Sequence, residues 1–255
     1  MTTRVRQFLL VCGVLSSLLY AATDLLGGMR YPGYSFSSRA ISELMATGAP
    51  SETFVDPLFI AYGVLALAFG VGVFREAAGR RGALRIAGAL LIGYAAIGLT
   101  GPTFFEMGQR GAGSAAGDLA HIVLTSVLVL SLLLAIGFGA FALGRRFRSY
   151  SSATFLIIIV FGALAGQQGS RLAARQPTPW LGVFERVDVY ASLLWVAVLA
   201  IALLRRPRDG AGRATCSAVR STWRPHERTG TTPPRAALPS PAPLRTALPT
   251  RRETP

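Results

Sequence analysis

Six long apolar runs constrain this chain more than any other feature of its sequence. They cover approximately residues 7–27, 57–74, 83–100, 117–142, 151–169 and 182–204. Each is close to the roughly 20 residues that an α-helix needs to cross the hydrocarbon core of a bilayer. Only 15% of the 255 residues are charged, whereas an ordinary soluble domain has about 25%. The sequence therefore predicts an all-α integral membrane bundle of six helices over residues 1–204.

Arginine is distributed unevenly between the loops on the two sides of the predicted bundle. The N-terminus and the second and fourth loops carry nine arginines against one glutamate, whereas the remaining loops and span ends carry six arginines against eight acidic residues. Loops rich in arginine stay in the cytoplasm during insertion. We therefore expect a multi-pass protein of the cytoplasmic membrane with both termini in the cytoplasm.

The first run also allows a second interpretation. Arg4 and Arg6, the apolar stretch that follows them and the small residues Ala21 and Ala22 are typical of a cleaved signal peptide. Cleavage would leave five spans with every remaining loop on the same side, so the arginine distribution does not decide between the two. Tyr20 beside the potential cleavage site favours a retained helix.

The C-terminal segment, residues 205–255, has a different composition from the rest of the chain. It contains eleven arginines, is rich in proline, serine and threonine, and has no apolar periodicity. This composition predicts a disordered cytoplasmic tail. Its arginines can contact anionic lipid. Nucleic acid is not an expected partner, because Trp223 is the only aromatic residue in the segment and gives no stacking platform.

The loop between the first two runs is predicted to contain a short interfacial helix. Ser37 or Ser38 can cap this helix, which then continues to about Ala46. Its apolar residues recur at the spacing of one helix face, so that face is expected to pack against the membrane or the bundle. Ser42 and Glu43 are then expected to point elsewhere.

Polar residues inside the spans gather toward the predicted outer side. A charged residue at the centre of a membrane helix costs about 2.5–3.5 kcal/mol on insertion scales, so we expect Arg186 to pair with Asp24 or Asp118. The same group of residues fits a salt-bridged plug, a ligand or ion site, or a hydrolytic centre. The candidate ligand-binding residues are Asp24, Tyr34, Ser35, Ser42, Glu43, Asp118, His121, Glu185 and Arg186.

Catalysis is the weaker interpretation of these residues. Ser35, Ser38 or Ser42 could act as a nucleophile with His121 as base and Asp118 as its orienting group. An aspartate and a histidine three residues apart on one helix are poorly placed to hydrogen-bond as a triad does. His121 is the only histidine in the membrane part, so a three-histidine zinc site is excluded. We expect neither a metal nor a cofactor.

Several short segments of this sequence occur together in a known family. The loop contains Tyr31-Pro32-Gly33-Tyr34-Ser35, Ile41-Ser42-Glu43-Leu44 and Gly48-Ala49-Pro50, and Asp118, His121 and the pair Glu185-Arg186 follow in the spans. With these segments the chain, over about residues 8–204, resembles the prokaryotic membrane family catalogued as domain of unknown function 998. The resemblance implies a compact six-helix membrane bundle and leaves its biochemical activity open.

Three functional hypotheses follow from the sequence. The first is a non-enzymatic protein that binds a lipid or small polar ligand at an outer-leaflet pocket, and that transports or senses it. The second is an intramembrane lipid hydrolase that uses His121. The third is an assembly or envelope factor in which the polar cluster only locks the fold. The first two require a cavity open to solvent or lipid, whereas the third requires a closed and mutually satisfied network.

Overall fold

A computed structural model describes residues 2–77, 82–104, 115–174 and 176–206 of the protein. In that part the chain forms seven α-helices and one 3-10 helix. The α-helices are α1 (Thr3–Arg30), α2 (Glu52–Glu76), α3 (Gly82–Phe104), α4 (Ala115–Ala142), α5 (Arg145–Gln167), α6 (Gly169–Ala173) and α7 (Leu181–Leu204), and the 3-10 helix is Ile41–Met45. The tail predicted for residues 205–255 lies, from residue 207 onward, outside the described residues.

Six of the described helices are long and apolar enough to cross a membrane. They are all of the α-helices except α6, and they correspond to the six runs of the sequence. The prediction of an all-α membrane bundle with six spans is therefore confirmed. The protein is a multi-pass membrane protein.

The six spanning helices pack in a ring. Each of α2, α3 and α4 packs against the next spanning helix along the chain, α5 packs against α7, and α1 packs against α2 and α7. Consecutive spans alternate in direction, so the ring has two distinct ends. The arginine end holds the start of α1, the α2–α3 and α4–α5 connections and the end of α7. The loop end holds residues 31–51, which we call the 31–51 loop, and α6.

Apolar side chains fill the ring toward the arginine end. Trp195 of α7 is fully buried there, and its indole N–H donates to the Ser151 hydroxyl of α5 at 2.9 Å. Gly139 of α4 makes room for the Trp195 ring, because a Cβ at that position would lie 2.7 Å from the indole. The other large side chains that are fully buried in this cluster are Leu10, Phe69, Val73, Leu84, Ile136, Ile158, Leu199 and Leu203.

A buried arginine ties three helix ends together at the arginine end. Arg6 of α1 donates from Nε to Glu76 Oε2 of α2 at 2.7 Å. Its Nη2 donates to the carbonyl oxygen of Leu203 at 2.6 Å and to that of Arg206 at 3.4 Å. Arg6 thus adds a side-chain donor to carbonyl groups at the C-terminal end of α7 and just beyond it.

Candidate functional site

The 31–51 loop folds over one side of the ring instead of forming the predicted helix. Its only helical segment is the 3-10 helix Ile41–Met45, so the prediction that a helix begins at Ser37 or Ser38 is wrong. The Ser37 hydroxyl pairs with that of Ser35 at 3.0 Å, and the Ser37 carbonyl accepts from the backbone N–H of Val183 at 3.2 Å. The serines therefore bind one another and α7, and not the first turn of a helix.

The 3-10 helix packs against α1, α2 and α7. Ile41 and Leu44 are buried with Val55 of α2, as the apolar spacing predicts. The prediction that Glu43 points elsewhere is wrong, because only 3% of Glu43 is exposed and its Oε1 accepts from the backbone N–H of Ala40 at 2.8 Å. A 3-10 helix has three residues per turn, which places residue 43 directly against residue 40.

Arg186, in the second turn of α7, lies at the centre of the polar contacts between the loop and the bundle. Its Nε donates to Asp24 Oδ2 at 3.0 Å and its Nη2 donates to Asp24 Oδ1 at 2.7 Å. Asp24 belongs to α1 and is fully buried, and Arg186 is 9% exposed. The predicted pairing of Arg186 with Asp24 is confirmed, in the bidentate geometry that is strongest for an arginine and a carboxylate.

The other N–H groups of Arg186 bind the 31–51 loop. Nη1 donates to the carbonyl oxygens of Phe36 at 2.8 Å and Arg39 at 3.1 Å, and also to that of Gly182 at 3.2 Å. Nη2 donates to the Tyr34 hydroxyl at 2.8 Å. All five donors of the guanidinium group are therefore engaged, and the loop is held by a cation that has no donor left for another partner.

Two tyrosines complete this network. The Tyr34 hydroxyl donates a hydrogen bond to the carbonyl oxygen of Ala40 at 2.7 Å. Burial raises the pKa of the Tyr34 hydroxyl above its usual value, so it remains a neutral donor. The Tyr190 hydroxyl of α7 donates to Asp24 Oδ2. The Asp24 carboxylate thus receives three donors and is as fully satisfied as its arginine partner.

Gly182 permits the close approach of the loop to α7. A Cβ at this position would collide with the carbonyl oxygens of Phe36 and Arg39, which are the oxygens that Arg186 binds. Gly28 of α1 has a similar role, since a Cβ there would collide with the Phe36 ring. Neither glycine is singled out as a functional residue by the sequence. Their only signal is a glycine near a span end, which is common in membrane helices.

The two acidic residues of α7 have different surroundings. Glu185 Oε2 accepts from the backbone N–H of Ile41 at 2.7 Å and so joins the contacts with the loop. Asp188, one turn further along, is 9% exposed, and its Oδ1 has no hydrogen-bond partner in the described part of the chain. That oxygen faces α5, where a Cβ built on Gly162 would lie 4.0 Å away.

The remaining candidate residues are not gathered around Arg186. Ser42 lies half-buried on the 3-10 helix. His121 lies on α4, which packs against α3 and α5, whereas the 3-10 helix packs against α1, α2 and α7. The loop serines and His121 therefore belong to different sides of the ring. Asp118 also belongs to α4, and its side chain lies outside the described residues.

The chain belongs to a known family. A family model described as "Protein of unknown function (DUF998)" matches residues 14–202, which include the whole 31–51 loop and at least part of each of the six spans. The resemblance found in the sequence is thereby confirmed. No curated protein and no solved structure matches the chain. Family membership thus leaves the function of this protein to be inferred from its own residues.

A groove runs along the side of this DUF998 bundle, directly beside the Arg186 network. It has a volume of about 610 Å³. Leu194, one of the residues that line it, is 57% exposed, so the groove opens on the flank of α7. The lining residues are Phe36, Ser37, Val183, Arg186, Val187, Tyr190, Ala191 and Leu194.

No group of three or more potential metal ligands occurs among the described residues. Three of the residues that line the groove have polar side chains, namely Ser37, Arg186 and Tyr190. The side chains of the other lining residues are apolar. Chemically, the groove can therefore hold an apolar chain with a polar group at its loop end.

Proposed function

We propose that this protein binds a membrane lipid in the groove beside α7 and carries out no chemical reaction on it. One observation carries the proposal: an apolar groove on the flank of a membrane-spanning helix has three polar side chains at one end. Its volume of about 610 Å³ is within the range of about 300–1,000 Å³ that is typical of ligand pockets.

The shape of the groove follows from the sequence of α7. Val183, Val187 and Leu194 recur at helical spacing and form an apolar stripe along its floor. Ala191 lies between Val187 and Leu194, and its small side chain deepens the groove at that point. Because this flank belongs to a spanning helix, it meets acyl chains in a bilayer, and an acyl chain is the ligand that matches its floor.

The loop supplies the polar end of the groove. Phe36 and Ser37 line the groove at the loop end of the ring. Arg186 holds that segment in place by donating to the Phe36 carbonyl. We infer that the glycerol or headgroup region of the lipid lies beside the Ser37 and Tyr190 hydroxyls. Arg186 then acts mainly as a support for the wall, since its own donors are engaged.

A hydrolase that uses His121 is not favoured by any described contact. The loop serines that would attack the lipid lie over α1, α2 and α7, whereas His121 lies on α4. A purely structural role is supported for Arg186 and Asp24, whose hydrogen bonds are mutually satisfied. It does not account for an open groove beside them, so we propose lipid binding as the function that this network supports.

The proposed leaflet depends on the orientation of the chain. With both termini in the cytoplasm, the 31–51 loop and the groove lie in the outer leaflet of the cytoplasmic membrane. A reporter inserted at Gly144 should then indicate the cytoplasm, and one inserted at Gly48 should indicate the outside. The opposite result would move the groove to the inner leaflet and leave the lipid proposal to be tested separately.

A variant that fills the groove tests the proposal. Ala191→Trp places an indole between the apolar side chains of the floor. We expect the variant, purified in a mild detergent, to lose most of the lipid that native mass spectrometry finds bound to the wild-type protein. Ala163→Trp, at an exposed position of α5, is the matched control and should retain that lipid. Equal retention by both variants and the wild type would contradict the proposal.

A further inference from the structure

A second cavity lies at the opposite end of the ring, between the α4–α5 connection and the end of α7. Its volume is about 430 Å³. Three arginines from two separate elements line it, and none of the described residues that line it is acidic. The lining residues are Leu143, Gly144, Arg145, Arg146, Phe147, Ala202 and Arg206.

The backbone adds to the positive charge of this cavity. Helix α5 begins at Arg145, and the positive end of its dipole lies at the cavity. Gly144, at the N-cap, has no side chain to accept from the first turn, and that turn contains no acidic residue. Helix N-termini favour anions and disfavour cations. Arg145 and Arg146 lie in the first turn of α5 and add positive charge to this helix N-terminus. Because none of the described residues that line the cavity is acidic, an anion from elsewhere is needed to neutralise this charge.

The wall of the cavity is fixed and partly apolar. Arg6 is buried and donates to the carbonyl oxygens of Leu203 and Arg206, which anchors the end of α7 that carries the third arginine. Leu143 is buried and Phe147 packs against the core on the other side. The cavity thus combines three arginines with apolar side chains at the end of two spanning helices, and the backbone that carries one of these arginines is held by Arg6.

We propose that this cavity binds the phosphodiester headgroup of an anionic phospholipid in the leaflet at the arginine end. Guanidinium groups bind phosphate oxygens in a bidentate manner. Basic pockets between spanning helices are suited to such headgroups. The apolar floor matches the glycerol and first methylenes of a lipid, which a free phosphate ion lacks. A signal that only sets topology needs arginines in a loop and does not need a cavity.

The test uses the full-length protein, purified in a neutral detergent, with phosphatidylglycerol as the probe. Added phosphatidylglycerol should raise the midpoint of thermal unfolding, because a ligand that binds only the folded state stabilises it. Phosphatidylcholine, which has the same acyl chains, should raise it much less. The double variant Arg145→Gln/Arg146→Gln should keep the lipid-free midpoint and lose most of the rise. Arg206→Gln should independently lose part of it.

The control variant removes the same charge at the same end of the bundle. Arg75→Gln/Arg85→Gln changes two exposed arginines outside the cavity and should keep the full rise in the unfolding midpoint. Both variants retain the C-terminal segment, so any contribution of that segment to lipid binding is the same in each. An equal loss in the control would overturn the proposal in favour of diffuse charge attraction. Equal stabilisation by phosphatidylcholine, or by inorganic phosphate alone, would also overturn it.

Discussion

The two ends of this bundle use arginine in opposite ways. At the loop end, Arg186 lies among helices, and each of its five N–H donors is bound to a carboxylate, a carbonyl or a hydroxyl group. At the arginine end, Arg145, Arg146 and Arg206 line an open cavity without an acidic neighbour in its lining. A buried cation needs ion-pair and hydrogen-bond partners within the protein. A cation at the membrane surface is hydrated and can bind an anionic ligand from outside the protein.

The same contrast occurs within α7. Arg186 and Asp188 are two residues apart and equally buried. Arg186 is saturated by the loop and by α1, whereas Asp188 Oδ1 lacks a hydrogen-bond partner among the described residues. The position of a charged residue along a span therefore does not reveal whether its role is structural. Its partners do.

The largest expected effect comes from removing Arg186. Arg186→Ala leaves the buried Asp24 carboxylate without its cation and should lower the free energy of unfolding by about 3–5 kcal/mol. Arg146→Ala, at an exposed position, should change it by less than about 0.5 kcal/mol. Unfolding of the purified proteins in detergent measures both. Similar losses in the two variants would remove the contrast between the ends of the bundle.

Gly182 tests the close approach of the loop without changing any charge. Gly182→Ala should destabilise the protein by about 1–3 kcal/mol, because its Cβ forces the loop carbonyls away from Arg186. Gly166→Ala is the matched control on α5, where a Cβ meets no neighbouring atom within 4 Å. It should stabilise the helix by about 0.5–1 kcal/mol. Effects of the same sign would show that the loop is not seated on Gly182.

The Tyr34 hydroxyl links the guanidinium to the backbone of the loop. Tyr34→Phe should lower the free energy of unfolding by about 1–2 kcal/mol, because the buried Ala40 carbonyl loses one of its donors and Arg186 Nη2 loses an acceptor. Tyr31→Phe removes a hydroxyl that accepts from the partly exposed Arg39, and its effect should be smaller. Chemical denaturation curves of the two variants compare them directly, and the reverse order would be inconsistent with this network.

The smallest effect is expected at Asp188. Asp188→Asn keeps the shape of the side chain and removes a charge that has no bound donor at Oδ1, so stability should be unchanged or slightly higher. Asp24→Asn, which weakens a bidentate ion pair, should be clearly destabilising. Thermal unfolding of both variants gives the comparison. A destabilised Asp188→Asn protein would mean that this carboxylate also holds the fold.

Hydropathy and the insertion cost of charge predict a large part of this molecule. Six apolar runs fix the spans, and the cost of an unpaired Arg186 is sufficient to predict that it is paired, with Asp24 or Asp118 as the candidate partners. The partners of Arg186 in the loop could not be predicted from the sequence. The carbonyls of Phe36 and Arg39 are placed as its acceptors only by the turn that precedes the 3-10 helix. The burial of Glu43 depends on the same turn, since an α-helix would have placed it on another face.

The cavity at the arginine end could not be predicted from the sequence either. Arg145 and Arg146 are informative in the sequence as signals of topology. Their second role depends on the tight connection through Gly144 and on the anchoring of the α7 end by Arg6. The second of these is a contact between residues far apart in the chain, which hydrophobic periodicity does not encode.

A double-mutant cycle between Asp24 and Arg186 tests the central claim, that a closed ion-pair network locks the loop onto the bundle. The free energies of unfolding are measured for Asp24→Ala, Arg186→Ala and the double variant. Each single change leaves a buried charge without its partner, so the double variant should be less destabilised than the sum of the single losses, with a coupling energy of about 2–3 kcal/mol. Additive losses would contradict the account, because they would show that the two side chains act independently.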